Sequence, residues 1–91
     1  MEKIIIDKYQ YEIIKDYKNG YNKEEFLSKC TDYFYDYDYV VGDWAYGKVR
    51  LKGFYDKKNK KCKEINNFDN LDKYIKENCA FDFAYFVAKK I

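Results

Sequence analysis

The 91-residue sequence predicts an α+β domain: a mostly antiparallel, twisted sheet of about five to six strands packed with two helices in a single small sandwich spanning residues 1–91. Three observations carry this. Apolar residues recur at every second position in several separate segments. Helical spacing of apolar residues occurs in two segments, each preceded by an Asn or Asp able to cap it. Strands and helices do not alternate strictly, which argues against stacked βαβ units.

Residues 3–6 (KIII) and 9–15 (YQYEIIK) read as the first two strands. In the second, Tyr9, Tyr11 and Ile13 share the face opposite Gln10 and Glu12, the alternation of a half-buried strand. Asp7-Lys8 suits a tight hairpin between them, and Asn19-Gly20 marks the next turn. Asn22 with Glu25 three positions on has the form of a capping box, and Glu24 and Glu25 complement the positive end of a helix. The stripe Phe26, Leu27, Cys30, Tyr33, Phe34 and Tyr37 extends this helix to about residue 35.

From Tyr33 to Tyr39 tyrosines also fall on every second residue, so helical and strand periods overlap here. Val40, Val41 and Gly42 favour extended chain, and the handover is expected near Asp36, with Tyr37 and Tyr39 in the strand. Residues 48–56 (KVRLKGFYD) form the clearest strand, with Val49, Leu51 and Tyr55 on one face. Lys48, Arg50, Lys52 and Phe54 take the other. KKNKK (57–61) reads as a solvated hairpin loop leading to a short strand at 62–65. Asp69 or Asn70 is expected to cap a second helix over about 70–78, buried along Leu71, Tyr74, Ile75 and Cys79. A last strand runs from Phe81 to Lys89.

Composition excludes several chemistries. Histidine is absent, which removes Ser-His-Asp and Cys-His catalysis, imidazole acid–base work and His-containing metal sites. Cys30, Cys62 and Cys79 are odd in number and form no C-x-x-C element, so free thiols without disulfide or zinc are expected. No signal-type apolar segment follows Met1 and no run is long enough to cross a bilayer, so a cytoplasmic protein without membrane contact is the expectation. No glycine-rich phosphate loop occurs, and neither metal nor cofactor is implied. Net charge is only +2, and 17 of the 18 basic residues are lysine, a pattern that fits AT-rich coding and accounts for part of the 12 tyrosines.

Three candidate sites remain. Lys48, Arg50 and Lys52 stand about 6.7 Å apart along a strand face, a spacing suited to phosphates or an acidic protein surface. Lysines 57, 58, 60 and 61 adjoin them, and Trp44 and Tyr46 are the aromatics able to stack or pack beside them. The same stripe also fits the wet, solubilising face of a sheet, and as an exposed strand cation Arg50 then contributes little to folding. Exposed tyrosines of the first helix and neighbouring strand offer a second kind of contact, a homo- or hetero-oligomeric interface. Asp43, beside Trp44, is a carboxylate whose pKa an indole could raise for general-acid work, although a turn-capping role is the simpler reading. Trp44 itself is expected to be largely buried.

The runs YEIIKDYKNGYNKEEF (11–26), YDYVVGDWAYGKVRLKGFYD (37–56) and AYFVAKK (84–90) resemble the YutD-like family of small uncharacterised cytosolic proteins from low-GC Gram-positive bacteria. The resemblance covers nearly the whole chain and implies an α+β sandwich. It brings no accepted activity, cofactor or catalytic residue. The expected function is therefore a non-enzymatic cytosolic binding module. Its partner is RNA, a ribonucleoprotein or an acidic protein surface, met by Lys48, Arg50, Lys52, Trp44 and Tyr46. An oligomeric interaction module is the alternative and an enzyme centred on Asp43 the third reading.

Overall fold

A computed structural model describes residues 2–78 and 84–91 of the chain. Its element order is β1 (Lys3–Ile6), β2 (Tyr9–Tyr17), α1 (Lys23–Lys29), β3 (Tyr39–Ala45), β4 (Lys48–Phe54), α2 (Leu71–Asn78) and β5 (Tyr85–Lys90). The five strands form one sheet in the order β1-β2-β5-β3-β4, every neighbouring pair antiparallel. The last strand thus inserts between the two hairpins and ties the chain's ends together. β1 and β4 are the edges.

Each face of the sheet is covered. On the first face Ile4, Ile6, Tyr11, Ile13, Val40, Val49, Phe86 and Ala88 pack with Phe26 of α1 and Cys30. On the second, Val41, Phe54, Tyr85 and Val87 pack under Leu71, Tyr74 and Ile75 of α2 and under Phe68. A bulge between Ile13 and Lys15 in β2 delivers Ile14 to this second cluster. Aromatic edges and faces fit together across the first layer, Phe26 meeting Phe86 edge-on at 5.3 Å between centroids. Gly42 is the reason Phe86 fits: a Cβ there would stand 2.2 Å from its ring. Many tyrosines lie half-buried around these clusters, among them Tyr9, Tyr21, Tyr35, Tyr39 and Tyr74. A thin domain keeps its core near water, and a ring with a wet hydroxyl suits such positions.

Local chemistry explains most element ends. Tyr17 to Gly20 make a turn whose central residues Lys18 and Asn19 have φ of 55° and 60°, closed by Gly20 N–H to the Tyr17 carbonyl. Asn22 caps α1, its side chain accepting from the Glu25 N–H at 3.0 Å. The reciprocal half of the expected capping box is replaced by an ion pair of Glu25 with Lys29 at 3.7 Å.

Three expectations need correction. The first helix stops at Lys29, and Asp32–Phe34 form a separate 3₁₀ turn. Tertiary bonds compete with helical continuation: Asp36 accepts from Tyr55 and Lys61, and Asp38 from the Asp56 and Asn59 nitrogens. Tyr37 accordingly precedes β3 instead of belonging to it. No strand forms at 62–65. Tyr55 bonds Asn66 and Phe68 at one isolated parallel bridge, and a 3₁₀ turn over Glu64–Asn66 carries the chain away. Ahead of α2 lies a further 3₁₀ turn, Phe68–Asn70, capped by Asn67, which accepts from the Asp69 N–H; Asn70 directly precedes the helix. Cys79 and the expected strand residues 81–83 lie outside the described residues; β5 runs Tyr85–Lys90.

Candidate functional site

The backbone register decides which groups of β4 face solvent. Trp44 N–H bonds the Ala84 carbonyl and Lys90 N–H the Asp38 carbonyl, so even-numbered positions of β3 point their backbone groups at β5. The odd positions therefore bond β4, and their partners are Lys48, Arg50, Lys52 and Phe54. Val49, Leu51 and Gly53 consequently turn their N–H and C=O groups to the outer edge, but Val49 is only 2% exposed and Gly53 is buried with the Tyr37 ring against it, so that edge is largely closed to water. At Tyr55, the next outward position, both groups are taken by Asn66 and Phe68.

Side chains alternate with this backbone pattern. Lys48, Arg50 and Lys52 share the second face of the sheet, as expected from the sequence. Lys48 is exposed at the strand start. Lys52 is half-buried, its ammonium 5.2 Å from the Phe54 ring centroid and 5.7 Å from that of Tyr74, so its stem covers aromatic surface while the charge stays near water. Arg50 differs. Its guanidinium donates to Asp43 Oδ2 at 2.6 Å, and Asp43 is only 1% exposed whereas the Arg50 side chain is 50% exposed.

That pair corrects two expectations. Asp43 lies inside β3, not at a turn, and is a buried partner of Arg50. Arg50 is therefore part of the architecture and not a freely spare cation. The two-residue hairpin at Tyr46-Gly47 could have revealed this from sequence, because it pairs Ala45 with Lys48 and hence Asp43 with Arg50.

The two aromatics part company. Trp44 sits on the first face, half-buried against the core, with its indole N–H donating to the Gly20 carbonyl at 2.8 Å. It is less buried than expected and cannot join the basic stripe. Tyr46 is 99% exposed at the turn between β3 and β4, with φ of 53° beside Gly47 at 74°. A tyrosine in the left-handed region, with its ring in water, is held there against its own preference.

The lysine loop after β4 is ordered by Asx bonds. Asp56 Oδ1 accepts from Lys58 N–H, Asn59 Oδ1 from Lys61 N–H, and Lys61 itself pairs with Asp36 at 2.8 Å. The Lys61 ammonium and the Tyr55 hydroxyl hold the Asp36 carboxyl below its ordinary pKa. Lys57, Lys58 and Lys60 remain exposed. Between β4 and α2 runs an open groove of about 540 Å³ lined by Lys52, Glu64, Ile65, Asn70, Lys73, Tyr74 and Glu77. Asp43 does not line it.

Cys30 is buried beside the Tyr11 hydroxyl, and burial pushes its thiol pKa up to about 11. Cys62 is half-buried, its thiol also raised by burial. Both disfavour the thiolate that metal binding or nucleophilic attack requires.

Similarity to known proteins follows the same fold and the same segments. A family model described as "YutD-like: Putative antitoxin YutD-like" matches residues 5–89. A Bacillus subtilis (strain 168) protein named "Putative antitoxin YutD" is 44% identical over 88 residues, 97% of each chain. The solution structure of the yutD protein from Bacillus subtilis is 43% identical, with a TM-score of 0.83 over 100% of this chain and 83% of that one. Neither name describes an enzyme. With sequence and architecture both shared over nearly its full length, the chain belongs to the YutD-like family.

Proposed function

We propose that this chain is a non-enzymatic cytosolic binding module that engages an acidic protein surface through the second-face side of β4. Lys48 and Lys52 supply free charge, Arg50 supplies the exposed half of its guanidinium, and Tyr46 supplies an apolar contact at the strand's tip. One observation carries the reading: Lys48, Arg50 and Lys52 stand together on one face of an edge strand, with Lys48 and half of the Arg50 side chain in water. The name of the Bacillus subtilis relative, "Putative antitoxin YutD", supports the same reading, toward a protein partner.

RNA fits this arrangement less well. Single-strand binders pair a basic path with aromatic platforms beside it, whereas Trp44 lies on the other side of the sheet. The oligomeric alternative has less support, because the exposed Tyr33 is tied to Tyr37 through their hydroxyls at 3.3 Å, and Tyr37 packs at a tilt against Tyr55.

Binding of labelled polyglutamate and of oligouridylate at low salt tests the proposal. Polyglutamate binding that is lost in a Lys48→Glu/Lys52→Glu double variant is the expected result. No polyglutamate binding, together with oligouridylate binding at a log–log salt slope of about −0.7 per phosphate, would replace it with the nucleic-acid reading.

A further inference from the structure

β1, at the opposite edge of the sheet from β4, carries a large apolar side chain in water at its centre. We infer that two copies of this chain associate there, β1 pairing antiparallel with β1 of a second copy about a two-fold axis at Ile5. The inference is independent of the acidic partner proposed at β4 and leaves that strand free.

This edge is uncovered. Ile4 and Ile6 enter the core, whereas Lys3 is exposed and Ile5 is 67% exposed. On β4, by contrast, the outward Val49 is 2% exposed. Backbone direction follows from the neighbouring strand. Ile91 N–H bonds the Gln10 carbonyl and Ile13 N–H the Glu2 carbonyl, so Gln10 points its groups at β5, and Tyr9, Tyr11 and Ile13 point theirs at β1. Ile4 and Ile6 therefore bond inward, opposite Tyr11 and Tyr9, and Lys3 and Ile5 turn their N–H and C=O groups outward. Native sheets avoid leaving an apolar side chain on such an edge in water unless a neighbour covers it.

The sequence selects a second copy as that neighbour. With Ile5 on the axis, Ile5 stands opposite the partner's Ile5, Ile4 opposite the partner's Ile6, and Lys3 opposite the partner's Asp7. The two Ile5 residues exchange both of their outward hydrogen bonds. Lys3 and Asp7 meet twice by symmetry, setting opposite charges across the junction. Both are exposed, and neither forms an ion pair within the chain among the described residues. Asp7 stands at the turn with φ of 57°, so it contributes its carboxylate and no further rung of the ladder. Sliding one chain by two residues sets Ile5 opposite the partner's Lys3 or the partner's Asp7, and both kinds of match are lost.

The second face extends the apolar contact. Gln10 lies opposite Ile5, and Ile91, 64% exposed, bonds Gln10 from its other side. Leu71, Tyr74 and Ile75 of α2 pack elsewhere on this face, over Val41, Phe54, Tyr85 and Val87. Pairing brings the two Ile5 side chains together on the bare end and removes them from water.

Sedimentation of the full chain, across concentrations reaching the millimolar range, tests the inference, because so short a strand makes a small interface and a weak dimer. The parent should pass from monomer to dimer. Ile5→Lys should stay folded by circular dichroism and weaken association about tenfold or more, since two cations then face each other at the axis. Lys3→Glu and Asp7→Lys each set like charges opposite twice, and each should weaken self-association about tenfold. An equimolar mixture of these two variants should recover association, because every opposing pair in the mixed dimer is again of opposite charge. A parent that stays monomeric throughout, or a dimer that Ile5→Lys leaves unchanged, would overturn the inference. A mixture no more associated than either variant alone would overturn the charge-matched register on which it stands. Ile5→Lys and Lys3→Glu change exposed strand positions and carry the test by themselves if the turn rejects Asp7→Lys.

Discussion

Replacing Arg50 by Ala separates the architectural part of the basic stripe from its surface part. The bond removed is a charge-assisted one of 2.6 Å to a carboxylate only 1% exposed. Bonds to charged groups contribute about 1.5–3 kcal/mol, and breaking a fully buried ion pair costs about 3–5 kcal/mol. The guanidinium is half exposed, and Asp43 and Arg50 each make further interactions. Both facts pull the expected cost to about 2–3 kcal/mol. For a domain of this size each kcal/mol moves Tm by roughly 4–8 °C, so the variant should melt well below the parent. The double variant Asp43→Asn/Arg50→Ala should be more stable than Arg50→Ala alone, because a neutral amide needs no counter-charge. Thermal and urea unfolding of all four members of the cycle give the coupling directly. An Arg50→Ala protein within about 0.5 kcal/mol of the parent, the range of ordinary surface changes, would refute the structural role assigned to the pair.

Other perturbations test different parts of the account. Tyr46→Asn should raise stability by about 1 kcal/mol, since Asn tolerates the left-handed conformation held there at φ 53°, and it should weaken partner binding; chemical denaturation and peptide titration read the two effects. Gly42→Ala should cost about 1–3 kcal/mol by overpacking, because the added Cβ meets the Phe86 ring at 2.2 Å; unchanged melting would mean that Phe86 moves aside freely. Above pH 10 stability should fall: burial, then Glu2, pushes Tyr21 up to about 12, and the bond with Tyr33, then burial, pushes Tyr37 up to about 12. Their folded-state stabilisation is complete below the ordinary value of 10.0 and is lost as pH climbs from there toward about 12. Tyr21→Phe should narrow that loss in pH-dependent melting, and an unchanged profile would contradict the shift.

The strand pattern was legible where period two was clean, as in Tyr9–Ile13 and Lys48–Phe54, because local alternation and burial agree there. The 33–39 stretch was not. Helical spacing, tyrosine alternation and two aspartates compete locally, and the outcome rests on Lys61, Tyr55 and Asn59, which come some twenty residues later in the chain. The site was half readable. Lys48, Arg50 and Lys52 on one face follow from alternation alone, whereas the fate of Arg50 depends on the register opposite Asp43. Trp44 was grouped with Tyr46 by proximity in sequence, yet the pleat sends it to the other face. That β4 lies at the edge of the sheet was invisible to any pattern of side chains. It depends on strand order, and that is set by β5 entering between β2 and β3.

Titration with labelled polyglutamate at low salt tests the central claim most directly, because it reads the basic face of β4 itself. The parent should bind saturably, and the Lys48→Glu/Lys52→Glu variant, still folded by circular dichroism, should lose that binding. Binding that survives the double charge reversal, or no binding by the parent, would contradict a basic face made for an acidic partner.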